Sequence, residues 1–416
     1  MNFTIESGAF LCLLSFIVST LTYPLVLRIA RKYGIMDNPN ARKLQRVPVP
    51  VMGGVAVFLG IVASVLVWNI KLNDTVLWVG LVAMTIMLIL GAIDDATDMS
   101  ASLRFVIEIV VVYWVILVSE INIDCLHGLW GIETVDLIVS LPLSILAGVG
   151  IINAINLIDG VDGYSSGFGI LSCIMFSCLF YYAGDDMLGG LALMCVGALV
   201  PFFMHNVFGR SSKMFIGDSG TLMIGTVLTI MVFSALSSGG SCGKLESEGI
   251  GLVPFTLAVM SVPVFDTLRV MGVRILRGGS PFHPDKSHLH HLFIEMGFSH
   301  IGTSFCILLI NTFIVGAWFL TWKLGGSISV QFTVVVVLSI LVTFGFYHFI
   351  KVQESSGPLD EDGYPTGSAI WKFCCMLGVK SHVEDNAFWT FLRNFMDGVF
   401  LPWNKNKSKS KQKKTK

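Results

Sequence analysis

Apolar runs close to the roughly 20 residues that a helix needs to cross a bilayer recur along most of this chain. They fall at about residues 9–29, 51–70, 76–93, 105–120, 137–152, 169–182, 188–205, 222–237, 252–271, 304–322 and 328–350. The pattern predicts an all-α integral membrane protein with about eleven transmembrane helices over residues 1–350, and a tail over 351–416. No small-residue cleavage site follows the first run, so it is expected to stay as a helix and not to be removed as a signal peptide.

Polar residues interrupt the pattern in clusters. NAINLIDGVDG (153–163) places Asn153, Asn156, Asp159 and Asp162 directly behind the fifth run. Polar groups in such surroundings cost free energy unless they bind something. Asn153, Asn156 and Asp159 recur every third residue and share a face on a continuing helix; the glycines after Asp159 and Asp162 let the backbone turn and approach a ligand. GAIDDATD (91–98) follows the third run, MFIGDSG (214–220) the seventh and SPFHPDKSHLHHL (280–292) the ninth.

Composition supports the membrane reading. Hydrophobic residues make up 54% and charged residues 13% of the 416, whereas soluble domains carry about 25% charged residues. The nine cysteines are mostly scattered singly through apolar runs without metal or disulfide spacing, so they read as small buried residues and imply no redox chemistry. The net charge of −1 conceals an asymmetry. Arg31, Lys32, Arg104, Arg210, Lys213, Arg274, Arg277, Lys286 and the tail lysines lie behind odd-numbered runs, against Lys71, Lys244 and Lys323 on the other side. By the positive-inside rule the N-terminus is outside, and the C-terminus and all four clusters are cytoplasmic. A multi-pass membrane protein follows, with membrane lipids around it, and no nucleic-acid partner is expected.

The clusters suit phosphate esters. Asp94 and Asp95 at a helix end, with Asp98 a turn on, can hold Mg²⁺ through hard oxygen ligands or act as a base; a solvated helix end is the plain alternative. Asp218, between Gly217 and the small Ser219 and Gly220, offers a carboxylate on a backbone able to close round an ion or a phosphate, or else only a helix cap. Phe215 serves interfacial anchoring or base stacking. Pro284 and Asp285 read as a helix start, which would put His288 and His291 on one face with His290 elsewhere. With Arg274, Arg277 and Lys286 nearby and no cysteine, these histidines favour an anion over zinc.

Taken together, PNARKLQRVPVPVMGG (39–54), GAIDDATD, NAINLIDGVDG, MFIGDSG and SPFHPDKSHLHHL resemble, in order, the motifs of the polyprenyl-phosphate N-acetylhexosamine-1-phosphate transferases, nearest to the undecaprenyl-phosphate N-acetylglucosamine type. The resemblance spans residues 38–299. It implies a bacterial inner-membrane enzyme with a cytoplasmic site dependent on Mg²⁺, Mn²⁺ being the alternative ion. The phosphate of undecaprenyl phosphate attacks the β-phosphate of UDP-GlcNAc and releases UMP, initiating a cell-surface polysaccharide. UDP-GalNAc is the second choice of donor. Carried over residue by residue, the resemblance makes Asp218 the metal ligand, gives Asp94 and Asp95 the lipid phosphate, and sets Asn156 and Asp159 round the diphosphate. Asp162 and Phe215 take the uracil, and His288, His290, His291 and Arg274 the sugar-phosphate end. Gln45 departs from the pattern, standing where many members have histidine.

Two other classes fit less well. An Asp-rich intramembrane prenyltransferase would need a second DDxxD, and a transporter would carry ionisable groups near the midplane, often within repeats. The tail sets Phe388, Phe391, Leu392, Phe395 and Val399 at helical spacing before seven lysines over 405–416, as in a membrane-surface anchor. Oligomeric state has no sequence signal.

Overall fold

The structure is a computed structural model that describes residues 5–38, 47–68, 74–97, 99–280, 286–354 and 394–395. The first-loop residues 39–46, including Gln45, lie outside the described residues. So do Asp98, Asp285 and the amphipathic tail pattern apart from Phe395.

The helices in chain order are α1 (Ile5–Tyr33), α2 (Gly53–Val67), α3 (Thr75–Thr97), α4 (Ala101–Ser119), α5 (Leu137–Leu157), α6 (Tyr164–Tyr182) and α7 (Asp186–Phe208). They continue with α8 (Gly217–Leu236), α9 (Leu252–Val259), α10 (Ser261–Leu276), α11 (Leu289–Glu295), α12 (His300–Lys323), α13 (Ile328–Ile340) and α14 (Phe346–Glu354), the last two joined by a π turn. Among the described residues, nine helical segments are long and apolar enough to cross a membrane. Two of the sequence runs come out differently. The run at 51–70 yields only the 15-residue α2, and the run at 252–271 is broken into α9 and α10, bent by 73°.

The chain is organised round α8. Apart from Asp218 it is buried throughout, as expected of a helix that is apolar or small on every side. Small residues set how close its neighbours come. A methyl on Gly91 of α3 would lie 2.3 Å from the backbone of Asp218, and one on Gly54 of α2 would lie 2.4 Å from Gly220. These contacts seat the start of α8 against the polar end of α3. On the outside of the bundle, Phe10, Leu13, Ile17, Leu21 and Leu25 of α1 are exposed at helical spacing. A lipid-facing stripe accounts for them.

The break between α9 and α10 has a local cause. Pro263 has no N–H to offer the carbonyl of Val259, so the helix cannot run on. Asn311 of α12 serves the freed groups: its Oδ1 accepts from Ser261 Oγ and Val262 N at 3.0 and 3.2 Å, and its Nδ2 donates to Val259 O at 3.1 Å. At membrane depth such groups need a protein partner. Two antiparallel ribbons that the apolar pattern does not announce complete the fold: β1 (Met36–Asp37) with β2 (Val49–Pro50), and β3 (Cys125–Leu129) with β4 (Ile132–Thr134).

Candidate active site

The four polar clusters meet because each sits where a helix starts or stops at the same end of the bundle. A cavity of about 1800 Å³ opens there. Asp94, Asp95, Asn156, Asp159, Asp162, Phe215, Asp218, Arg274, His288, His290 and His291 all line it. The cavity continues between α4, α5, α9 and α10 along an apolar wall that includes Val106, Ile109, Leu146, Val149, Leu257 and Val264.

Arg104 ties the carboxylate floor together. Its Nη1 donates to Asp94 Oδ2 at 2.9 Å and Asp218 Oδ2 at 3.4 Å, and its Nε lies 3.5 Å from the buried Glu108. Asp94 also accepts from Met99 N at 2.8 Å. On its other oxygen Asp218 accepts from Asn156 Nδ2 at 2.7 Å, and the same amide reaches Thr221 Oγ1 at 2.9 Å. Asp95 accepts from the backbone N–H groups of Asp218 and Ser219 at 2.9 and 3.2 Å. It therefore caps α8 from a different helix, where unpaired N–H groups and the helix dipole favour a carboxylate.

Asp159 and Asp162 occupy the turn between α5 and α6. Asp159 is open to the cavity yet walled in by protein on the larger scale. That desolvation, opposed by the Ser165 hydroxyl and reinforced by Asp218, Asp162 and Asp95, pushes its carboxyl up to about 8. Burial acts on Asp162 in the same direction, but His300 and Lys213 outweigh it and hold that carboxyl below the usual range. Lys213 Nζ is 2.6 Å and His300 Nδ1 3.3 Å from Asp162 Oδ2. The same ammonium stands 5.6 Å from the Phe215 ring centroid. Phe215 is fixed by its backbone, its N–H donating to Pro50 O at 2.8 Å and its C=O accepting from Gly53 N at 2.9 Å.

The histidines depart from the sequence expectation. The helix they belong to starts at Leu289, with His288 extended ahead of it, so His288 and His291 do not share a helix face. The reason is a cap from elsewhere: both oxygens of the buried Asp266 in α10 accept from Leu289 N, at 3.2 and 3.1 Å, and Oδ2 also contacts His288 Nδ1 at 2.9 Å. Arg269, wholly buried, pairs with Asp266 Oδ1 at 2.7 Å. His288 and His290 stack nearly parallel at 5.9 Å, and His291 lies 4.2 Å from His290. Burial, and then the neighbouring His291 and His288, hold the His290 ring well below the usual imidazole range. Gly160 leaves room for that ring, since a methyl there would meet His290 Nε2 at 2.1 Å.

Arg104 and Lys213 stand out in the sequence only as loop charges that mark topology, and Glu108, His300, Asp266 and Arg269 lie outside its motifs. Glu108 and Asp266 carried a usable signal, because an acid inside an apolar run is a functional candidate in its own right. Asn153, noted in its cluster but not assigned a role, donates to Glu108.

Comparison with known proteins gives a consistent result. Residues 77–236 match the model of glycosyl transferase family 4. A probable undecaprenyl-phosphate N-acetylglucosaminyl 1-phosphate transferase of Bacillus subtilis is 33% identical over 302 residues, covering 71% of this chain and 81% of that protein. The undecaprenyl-phosphate alpha-N-acetylglucosaminyl 1-phosphate transferase of Escherichia coli K12 is 30% identical over 68% of this chain and 76% of its own length. The Yersinia pestis protein of the same name is 28% identical over 65% and 73%.

Proposed function

This chain belongs to the undecaprenyl-phosphate N-acetylglucosaminyl 1-phosphate transferases of glycosyl transferase family 4, and from that membership we infer that it transfers N-acetylglucosamine 1-phosphate from UDP-GlcNAc to undecaprenyl phosphate. An oxygen of the lipid phosphate bonds to the β-phosphorus, the bond from that phosphorus to the bridging oxygen breaks, and UMP leaves. One phosphoanhydride replaces another, so no further energy source is needed. The observation that carries the reading is a single cavity whose floor is carboxylate, amide, guanidinium and imidazole and whose wall is apolar. A charged phosphate and a polyprenyl chain on one molecule require both.

We assign the parts of the cavity by chemistry. Arg104, fixed by Asp94 and Asp218, receives the lipid phosphate; Asp94, with both oxygens already engaged, holds Arg104 in place. The apolar wall of α4, α5, α9 and α10 takes the carrier chain. Phe215 and the Asp162–Lys213 pair form the nucleoside end. Arg274, His288, His290 and His291 form the sugar-phosphate end. Phosphoryl transfer is catalysed chiefly by positioning and charge neutralisation, and these groups supply both.

Hard carboxylate oxygens from Asp218 and Asp159, with no thiolate among them, fit Mg²⁺, Mn²⁺ being the alternative. The ion would neutralise charge on the diphosphate and polarise it as a Lewis acid. Asp159, whose carboxyl is pushed up to about 8 by desolvation first and by its acidic neighbours second, is a group that a cation would help to ionise. Asp95 holds the start of α8 so that Asp218 keeps its position. By loop charge we set this end of the bundle in the cytoplasm of a bacterial plasma membrane, with the N-terminus outside. The test is turnover by purified protein with and without EDTA. Chelation should abolish it, Mg²⁺ should restore it, and Asp218→Asn should lose at least about a hundredfold in kcat. Full activity in EDTA, or in Asp218→Asn, would overturn the metal assignment.

A further inference from the structure

At the opposite end of the bundle, a second cluster of donor side chains joins two segments far apart in sequence. Cys125 and His127 belong to β3, and Glu246 to a 3₁₀ helix, Ser241–Glu248, that precedes α9. Residues two apart on a strand share a face. One donor atom from each of the three lies within 4.8 Å of the others, and Cys125 and His127 are buried at 6% and 1% exposure.

The hairpin is shaped to bring them there. His127 adopts φ +50, a conformation uncommon outside glycine, and the strand register shifts between Cys125 and Leu129. His127 Nδ1 contacts Glu246, while its Nε2 is buried and has no hydrogen-bond partner among the described residues. A buried polar atom without a partner calls for a ligand, water or an ion. The surroundings are acidic. Glu246, Glu133 and Asp124 all act on the Cys125 side chain, and carboxylates so placed attract a cation.

We propose that Cys125, His127 and Glu246 form a zinc site. A thiolate, an imidazole and a carboxylate are the donors Zn²⁺ prefers, and a water would complete the four. Binding releases the thiol proton to solvent and leaves the cysteine as thiolate. The ion would clamp the hairpin between α4 and α5 to the segment between α8 and α9. Leu126, between the two β3 ligands, lines the catalytic cavity, so the clamp fixes the far end of that cavity. The site shares no residue with the catalytic end.

The test uses full-length protein with any affinity tag removed, incubated with Zn²⁺, dialysed, and measured for bound metal by mass spectrometry. Wild type should retain about one Zn²⁺ per chain, and Cys125→Ser and Glu246→Gln should bind it at least about tenfold more weakly. Loading wild type with Co²⁺ should give a thiolate-to-cobalt charge-transfer band that Cys125→Ser lacks. The proposal is overturned if wild type holds less than about a tenth of an equivalent, or if both variants retain as much as wild type. Should the variants fail to fold, absence of the cobalt band in wild type overturns it equally.

Discussion

Asp266 gives the sharpest test of how the histidine end is held. Its carboxylate accepts from His288 Nδ1 and from Leu289 N and pairs with Arg269, and both Asp266 and Arg269 are almost fully buried. Asp266→Asn removes the charge but keeps the size. Breaking a buried ion pair from one side costs about 3–5 kcal/mol, so the unfolding midpoint in detergent should fall clearly. The amide also presents N–H₂ to groups that were donating to an oxygen. His288 then loses its fixed orientation, and a displacement of about 1 Å in such a group costs on the order of a hundredfold in turnover. Asp266→Asn/Arg269→Met separates the two effects. Removing both charges should recover most of the stability and none of the turnover. If Asp266→Asn unfolds and turns over like wild type, the reasoning fails. If the double variant regains turnover together with stability, Asp266 supports the fold without positioning His288.

Other consequences can be checked independently. Gly160→Ala places a methyl 2.1 Å from His290 Nε2, so kcat/KM should drop about 10- to 100-fold while the circular dichroism spectrum stays unchanged; wild-type kinetics would show that the His290 ring is free to move. Asp159 titrates in the folded chain at about 8, above its unfolded value. The folded state therefore holds the extra proton between those two values, and metal-free stability should decline as pH rises from about 4 towards 8. Thermal midpoints in EDTA should show a decline that Asp159→Asn flattens; an equal slope in the variant would refute the assignment. For topology, an impermeant maleimide applied to whole cells should label Trp130→Cys and leave Arg210→Cys unlabelled. Labelling of the second and not the first would reverse the orientation.

The long-range pattern of the fold was readable because a bilayer-spanning helix needs a continuous apolar run, and α3 to α8 each follow one. The 15-residue α2 and the bend at Met260 were not. Residues 51–70 look like a full span, and the effect of Pro263 depends on Asn311, some 50 residues away, being present to satisfy the broken helix. At the site, motif order pointed to the residues that line the cavity but not to their interactions. Asp95 looked equivalent to Asp94 until its oxygens proved to lie on the α8 backbone. The helix start expected at Asp285 falls at Leu289 because Asp266, remote in sequence, supplies the cap. The Cys125–His127–Glu246 group was hidden for the same reason: two of its members are 119 residues apart.

The central claim, that phosphate travels with the sugar, is tested most directly by where the β-phosphorus goes. UDP-GlcNAc radiolabelled at that atom should be incubated with purified protein, Mg²⁺ and undecaprenyl phosphate, and the mixture partitioned between organic solvent and water. The account predicts that the label becomes lipid-extractable while unlabelled UMP accumulates in the aqueous phase. Label left in the aqueous phase as UDP while the sugar enters the lipid would mean simple glycosyl transfer and would contradict it.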